Sequence, residues 1–379
     1  MTIDKNIHQS LEIFFEEKVR IPNSPCWIFL CGYAIGETTL FCALAKEFRK
    51  THGHDIILLV MKKHFDVAKM YQHNFVKIIV IEDNLMHLIL RSGFIPQDRL
   101  EINQPISPCW IDRGFRDSDG IKYIGRYPGR GGISESDMMR FVLKLPWNSK
   151  LEKPIIAREY EDSAWVKARN LGLRVGRSVL LCPINNSAEK FPDIFWITLA
   201  QNLRELDFTV FTNMGGLSKY NGLVEMPIRY TTPVNLSVNE VIPFAHYAGR
   251  VITGGNGMSF LTMLGCSSGF NMTQILPYSN NKYENHLSLG YINQRDSLSR
   301  STGIDLRSAF QYMAPELCVN NSISEYFIPF DGDTYELQRL ANVIVTQDRS
   351  DPSLIQREEL YQNNEFNKKF DWLNDLIQQ

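Results

Sequence analysis

One acidic side chain stands where an apolar run turns into a helix. The stretch reads Ile28-Phe29-Leu30-Cys31-Gly32-Tyr33-Ala34-Ile35-Gly36-Glu37-Thr38-Thr39-Leu40. Glu37 follows a turn bounded by Gly32 and Gly36 and falls on the first turn of the helix. A carboxylate held there can take a proton from a hydroxyl nucleophile, so Glu37 is a candidate general base. The plainer reading is an acid that complements the positive end of a helix dipole. The turn lacks both the G-x-G-x-x-G of a dinucleotide site and the Gly-Lys-Ser/Thr of a P-loop, so it is not built mainly around a phosphate.

A second set of residues suits an anion. Thr253-Gly254-Gly255-Asn256-Gly257-Met258-Ser259 leaves a strand and opens a helix. Its glycines admit a close backbone approach, and a helix start favours a diphosphate. Asn256, Gly257, Met258 and Ser259 are the candidate donors; the window reads equally as a plain strand–helix turn capped by Asn256. Upstream, Asn185-Asn186-Ser187-Ala188-Glu189-Lys190 leaves another strand of the same sheet. Asn185, Asn186 and Ser187 form a polar loop, and Lys190 can neutralise a phosphate as a point charge; alone it reads equally as a surface lysine. A long Gly- and Arg-rich stretch, Ile95 to Gly132, holds Arg113, Arg116, Arg126 and Arg130. These suit an anionic substrate, or simply a solvated loop.

The elements that must position these residues alternate strand and helix. Strands are expected at Ile28–Cys31, Ile56–Met61 and Val76–Ile81, with helices at Thr38–Lys50, Phe65–Gln72 and Leu85–Leu90. A helix runs from Ser134 to Leu145, and a linker lies near Pro146–Lys153. The pattern restarts with helix Tyr160–Asn170, strand Ser178–Cys182, helix Ile194–Glu205 and strand Phe208–Asn213. Helix Val238–Tyr247, strand Arg250–Thr253, helix Met258–Gly265 and strand Thr273–Leu276 follow. Continuous apolar strands between amphipathic helices mean parallel sheets covered on both faces. The expected fold class is α/β, with two Rossmann-like doubly wound domains facing a central cleft. Residues 1–150 form the first, 151–354 the second, and 355–379 a terminal helix.

Composition excludes several classes. The 379 residues suffice for two domains, and 44% hydrophobic with 22% charged residues describes a globular chain. A formal charge of −2 argues against a dedicated nucleic-acid binder. No apolar run approaches the roughly 18 residues of a membrane span. Residues Met1 to Arg20 are polar and carry no signal-peptide core. The seven cysteines show no paired spacing, and Cys31, Cys42, Cys182 and Cys266 lie in apolar surroundings, which implies reduced buried thiols in a cytoplasmic protein. No C-x-x-C or H-E-x-x-H occurs, and His52 and His54 read as a solvated turn around Gly53. Asp117 with Asp119, and Glu161 with Asp162, stand without further ligands, so no metal is indicated. No Gly-x-Ser-x-Gly elbow supports a serine hydrolase.

Taken together, these windows resemble the lipopolysaccharide heptosyltransferase family of GT-B glycosyltransferases over most of residues 25–85 and 178–277. Gly36-Glu37-Thr38-Thr39-Leu40 stands where the family has a Gly-Asp loop with the proposed catalytic base. Lys190-Phe191-Pro192 matches its phosphate-binding lysine and helix start, and Leu236-Ser237-Val238-Asn239-Glu240 its Leu-Ser-x-x-Glu. Thr253 to Phe260 matches its nucleotide-sugar loop. Three positions depart: Glu37 replaces Asp, Gly255 replaces Asp and Phe260 replaces His. The resemblance implies an inverting, metal-independent transferase with no cofactor beyond a nucleotide-diphosphate sugar. It does not imply the acceptor, because the stretch Ile95–Gly132 does not match the family; a glycan or glycolipid of the lipopolysaccharide or capsule type is expected, with the arginine loop as its binding site, since that loop belongs to the domain that faces the acceptor in GT-B enzymes. It implies work in the cytoplasm, with peripheral contact at the inner face of the membrane. A nucleotide-sugar epimerase of the same fold, or a binding protein that has lost the donor site, are the alternatives.

Overall fold

The structure is a computed structural model. It describes residues 5–32, 35–91, 102–103, 105–106, 136, 139–140, 143–146, 148–184, 190–215, 227–254, 257–266, 269–278, 323–329 and 332–346. These fall into two compact units, one ending at Ile155 and the other beginning at Ile156. The segment before that junction belongs to the first unit: Glu152 N–H donates to Ala43 O and Ile155 N–H to Met70 O. The expected terminal helix beyond residue 354, the arginine loop and the Asn185–Ser187 loop lie outside the described residues.

The first unit holds a four-stranded parallel sheet. Strands β1 (Cys26–Cys31), β2 (Asp55–Met61), β3 (Lys77–Ile81) and β4 (Pro105–Ile106) take the order β3-β2-β1-β4. All six residues of β1 are buried, as a central strand covered on both faces requires. Ile28, Leu30, Ile57 and Leu59 point to one face. They pack with Leu11 of helix α1 (Lys5–Phe14), Phe15 and Val19 of the π-helical turn after it, and Met86, Ile89 and Leu90 of helix α4 (Asp83–Arg91). The N-terminus, polar on average, thus supplies an apolar stripe to the core. The other face carries an aromatic stack: Phe29 lies 4.5 Å from Phe41 and 5.1 Å from Phe48, both on helix α2 (Ile35–His52). Burying each such ring contributes roughly 1.5–3 kcal/mol.

Two local expectations change. The helix after β2 is shorter than read: α3 spans Phe65–Lys69, and Gln72–Asn74 is a separate 3-10 turn. Gly53 is exposed, as a solvated turn requires, but His52 before it is not part of one. His52 is the last residue of α2, its ring lies tilted against Phe48 with centroids 4.4 Å apart, and its Nε2 lies 2.9 Å from Leu143 O. Burial holds its pKa below the usual histidine value.

The second unit holds a six-stranded parallel sheet. Its strands are β5 (Ser178–Cys182), β6 (Thr209–Asn213), β7 (Thr232–Val234), β8 (Gly249–Gly254), β9 (Asn271–Tyr278) and β10 (Ile323–Pro329), ordered β10-β9-β8-β5-β6-β7. Counted from β5, that is the 3-2-1-4-5-6 order of a dinucleotide-binding sheet, read from the other edge. Helices α6 (Asp193–Glu205) and α9 (Thr334–Thr346) cover one face around Phe195, Trp196, Leu340 and Ile344. Helices α7 (Val238–Ala248) and α8 (Gly257–Cys266) cover the other.

Helix α7 starts with a capping box between Ser237 and Glu240 and ends at Gly249, φ 89°, in the left-handed region that suits glycine. Helix α5 (Arg158–Asn170) packs on α7, where Lys167 Nζ lies 2.7 Å from Glu240 Oε2 and Ser163 donates to Oε1 at 2.6 Å. Burial would raise the Glu240 pKa. The bonds from Lys167, Ser163 and Ser237 outweigh it and hold the group below the usual carboxylate value.

Candidate functional site

The first unit presents Glu37 at its carboxyl edge. Strand β1 lies beside β4 at the point where strand order reverses, and α2 begins just beyond its end. Ligands of doubly wound sheets bind at such points. Glu37 is the third residue of α2 and half-buried, while Gly36, Thr38 and Thr39 around it are buried. The glycine before it in the loop has a packing reason. A Cβ on Gly32 would run into Met86 Cγ and stand 2.8 Å from its Sδ, so α4 can cross over the loop only if no side chain is there.

His64 fastens this loop from behind. It ends the 3-10 turn Lys62–His64 after β2 and is fully buried. Its Nδ1 lies 3.2 Å from Cys31 O and 3.1 Å from Thr38 Oγ1. A carbonyl oxygen only accepts, so Nδ1 carries the proton and donates. Nε2 is then an acceptor, and it is buried without a hydrogen-bond partner among the described residues. Burial pushes the imidazole pKa down to about 4, so the ring is neutral near pH 7.

In the second unit the strands that precede two of the segments that the sequence singles out are neighbours. Cys182 of β5 pairs in register with Thr253 of β8, so the chain segments leaving these strands emerge side by side at the reversal of strand order. One leads to Lys190, which is half-buried. Phe191 after it is buried 5.1 Å from Phe195 and anchors the entry to α6. The other leads to the start of α8 at Gly257. The first N–H groups of a helix have no partner within it, and they carry its positive dipole end. Gly257 and Met258 are half-buried and Ser259 is buried. The Ser259 hydroxyl faces inward: it donates to Gly254 O at 2.9 Å and lies 3.2 Å from Thr253 Oγ1. It thereby closes the loop, and what Ser259 offers a ligand is its backbone. Asn256 lies outside the described residues.

A row of polar side chains under this edge escaped the sequence reading. Cys182, Thr253 and Gln274 are register neighbours on β5, β8 and β9, and Asn213 of β6 continues the row one residue beyond the Leu181–Thr212 pair. Register partners share a face, and theirs is the one that α7 and α8 cover. Asn213 Oδ1 accepts from Gly215 N–H at 2.9 Å, and its amide lies 4.0 Å from Cys182 Sγ. Burial pushes the Cys182 thiol up to about 12, so it is no nucleophile. Gln274 is buried, and neither amide atom has a partner among the described residues. The available signal was a lone glutamine inside an apolar strand. The row itself needs strand order, which one sequence does not contain. Phe260, where the resemblance has His, is buried in the core below α8.

Among the described residues, no cluster of three or more His, Cys, Asp or Glu could hold a metal ion, and no helix is long and apolar enough to cross a membrane. The described cysteines Cys26, Cys31, Cys42, Cys182 and Cys266 are buried thiols.

No family model matches the sequence, and no curated protein matches it. Solved structures do. A glycosyl transferase of family 9 from Veillonella parvula is 13% identical with a TM-score of 0.50, over 92% of this chain and 97% of its own. The E. coli ADP-heptose lipopolysaccharide heptosyltransferase II is 9% identical, with a TM-score of 0.49 over 85% of this chain and 99% of its own. E. coli heptosyltransferase WaaC with ADP is 10% identical, with a TM-score of 0.48 over 85% and 98%. The family 9 likeness, at that identity, establishes the fold: two Rossmann-like α/β units with parallel sheets, as the alternation of strands and helices led one to expect.

Proposed function

We propose that this chain is a glycosyltransferase. It moves a sugar from a nucleotide-diphosphate sugar to a hydroxyl of a glycan or a lipopolysaccharide- or capsule-type acceptor, with inversion and without a metal. The observation that carries the reading is the pairing of β5 with β8 at the strand-order reversal of the second sheet. Lys190 follows the first of these strands, and the N–H groups that open α8 follow the second. A diphosphate leaving group needs that combination of a cation and oriented donors, because negative charge grows on it as the bond to the sugar breaks.

In the reaction the acceptor oxygen forms a bond to the anomeric carbon. The bond from that carbon to the diphosphate oxygen breaks, and its electron pair leaves with the diphosphate. Glu37 takes the hydroxyl proton. Attack from the face opposite the leaving group inverts the centre. Gly257, Met258, Ser259, Asn256 and Lys190 hold the diphosphate, with Asn185, Asn186 and Ser187 beside it. Arg113, Arg116, Arg126 and Arg130 receive a phosphate or carboxylate of the acceptor. The enzyme acts in the cytoplasm at the inner face of the membrane.

A second reading is a protein that binds a nucleotide sugar without transferring it. Phe260, buried where the resemblance has His, and Gly255 in place of Asp favour it. Calorimetry against ADP, GDP and UDP and their hexose conjugates separates the readings. Transfer requires binding together with release of nucleoside diphosphate; binding without release supports the second reading. Binding of none removes both.

A further inference from the structure

We propose that His64 is a positioning residue for Glu37. Its Nδ1–H, shared between the Cys31 carbonyl and the Thr38 hydroxyl, ties the last residue of β1 to the first turn of α2 and so sets where the Glu37 carboxylate stands. The proposal rests on the reading of Glu37 as the general base.

Three observations carry it. First, the loop needs a clamp. Seven positions separate Cys31 from Thr38, and the chain turns between them through Gly32 and Gly36. Thr38 is the neighbour of Glu37 on a helix that rises about 1.5 Å per residue, so displacing one displaces the other. Second, the clamp comes from a separate element. Cys31 pairs in register with Val60, and His64 follows four residues later in its own 3-10 turn. The position of the loop is thus referred to β2 and does not depend on the loop's own backbone alone.

Third, the arrangement is not what stability alone would select. Nε2 is buried with no partner among the described residues, and an unpaired buried acceptor costs stability that an apolar side chain would avoid. Destabilising details of this kind concentrate at functional sites. The low pKa of the buried ring keeps Nδ1–H a single, fixed donor around neutral pH.

The test uses the full chain and the variants His64→Leu, His64→Asn, Thr38→Val and Glu37→Gln, alone and combined. The probes are ADP-, GDP- and UDP-linked hexoses, and the readout is nucleoside diphosphate released to water by pre-bound enzyme. Misplacing a reacting group by about 1 Å can cost on the order of 100-fold. His64→Leu is expected to slow release 10- to 100-fold, with nucleoside diphosphate affinity unchanged within twofold. His64→Asn, whose amide N–H replaces Nδ1–H, should recover most of the rate.

In the Glu37→Gln background His64→Leu should have no further effect, because it acts only through Glu37. A merely structural role would slow both backgrounds alike. Hydrogen exchange at Ile35–Leu40 gives an independent readout. It should rise tenfold or more in His64→Leu and return in His64→Asn. If His64→Leu does not fold, Thr38→Val, which removes only the hydroxyl, carries the same expectations.

Release within threefold of wild type in both His64→Leu and Thr38→Val, or equal slowing with and without Glu37, overturns the proposal. Wild-type release in Glu37→Gln, or no release by the wild type from any probe, removes the base assignment and the proposal with it. A dead Glu37→Gln beside active clamp variants removes the clamp alone.

Discussion

Replacing His64 by Asn should make the first unit markedly less sensitive to mild acid. The buried imidazole has its pKa pushed down to about 4 by burial; the Cys31 carbonyl bond and Asp83 oppose this shift, and Lys63 adds to it. An unfolded histidine titrates near the ordinary 6.5. Between those values the unfolded chain binds a proton that the folded unit refuses. Stability from this residue is therefore complete above pH 6.5 and drains as pH falls towards 4. Between pH 7 and pH 5 the loss is about 2 kcal/mol, from roughly 1.4 kcal/mol per pKa unit. Asn cannot titrate, so the variant lacks that part of the slope, whatever its stability at pH 7. Other groups of the unit, among them the Glu152–His73 contact, are common to both proteins and cancel in the difference. Urea unfolding at the two pH values, followed by hydrogen exchange in β1 and β2 so that the first unit is read separately, measures it. Equal losses of stability in wild type and variant would refute the reasoning, because the imidazole would then not be held neutral by burial.

Glu37→Gln keeps size and hydrogen bonding but cannot accept a proton. It should lower single-turnover transfer about 10²–10⁴-fold while calorimetry finds donor affinity unchanged; transfer near wild type would return Glu37 to the role of a dipole partner. Lys190→Ala should weaken nucleoside diphosphate binding by about 1–3 kcal/mol, and an unchanged calorimetric affinity would remove the lysine from the site. Glu240→Gln, which discharges the group that Lys167 and Ser163 hold, should cost about 1–3 kcal/mol at pH 7 in chemical unfolding. Its pKa is held down in the folded state, so that contribution is present at neutral pH and is lost progressively as pH falls below the ordinary glutamate range through the lowered folded value; a gap between the two proteins that persists in strong acid would contradict it. Gly32→Ala should destabilise the first unit by about 1–3 kcal/mol, because the new methyl would collide with Met86; a melting temperature at or above that of wild type would show that α4 can withdraw.

Much of this chain is legible locally. The apolar run Ile28–Cys31 announces a strand covered on both faces, and the strand, which the structure extends back to Cys26, is buried along its whole length. The capping box Ser237–Glu240 marks the start of α7, and glycines mark where strands β1 and β8 hand over to helices. The placement of Glu37 on a helix start is visible for the same reason: turn, cap and apolar period each act over a few residues. Strands β4 and β7, of two and three residues, escape a reading of this kind, as does β10, because edge pairing needs little of its own sequence. Strand order escapes it altogether. That β5 lies beside β8, the strands that lead on to Lys190 and to α8, and that Asn213, Cys182, Thr253 and Gln274 form one row, depend on which strands pair. The contact of His64 with Cys31 and Thr38 joins residues 33 and 26 positions apart. Local pattern reports which face of an element is apolar. Only the packing of those faces into one sheet decides which loops become neighbours and which buried nitrogen meets which oxygen, because those contacts belong to the assembled core and to no single stretch of chain.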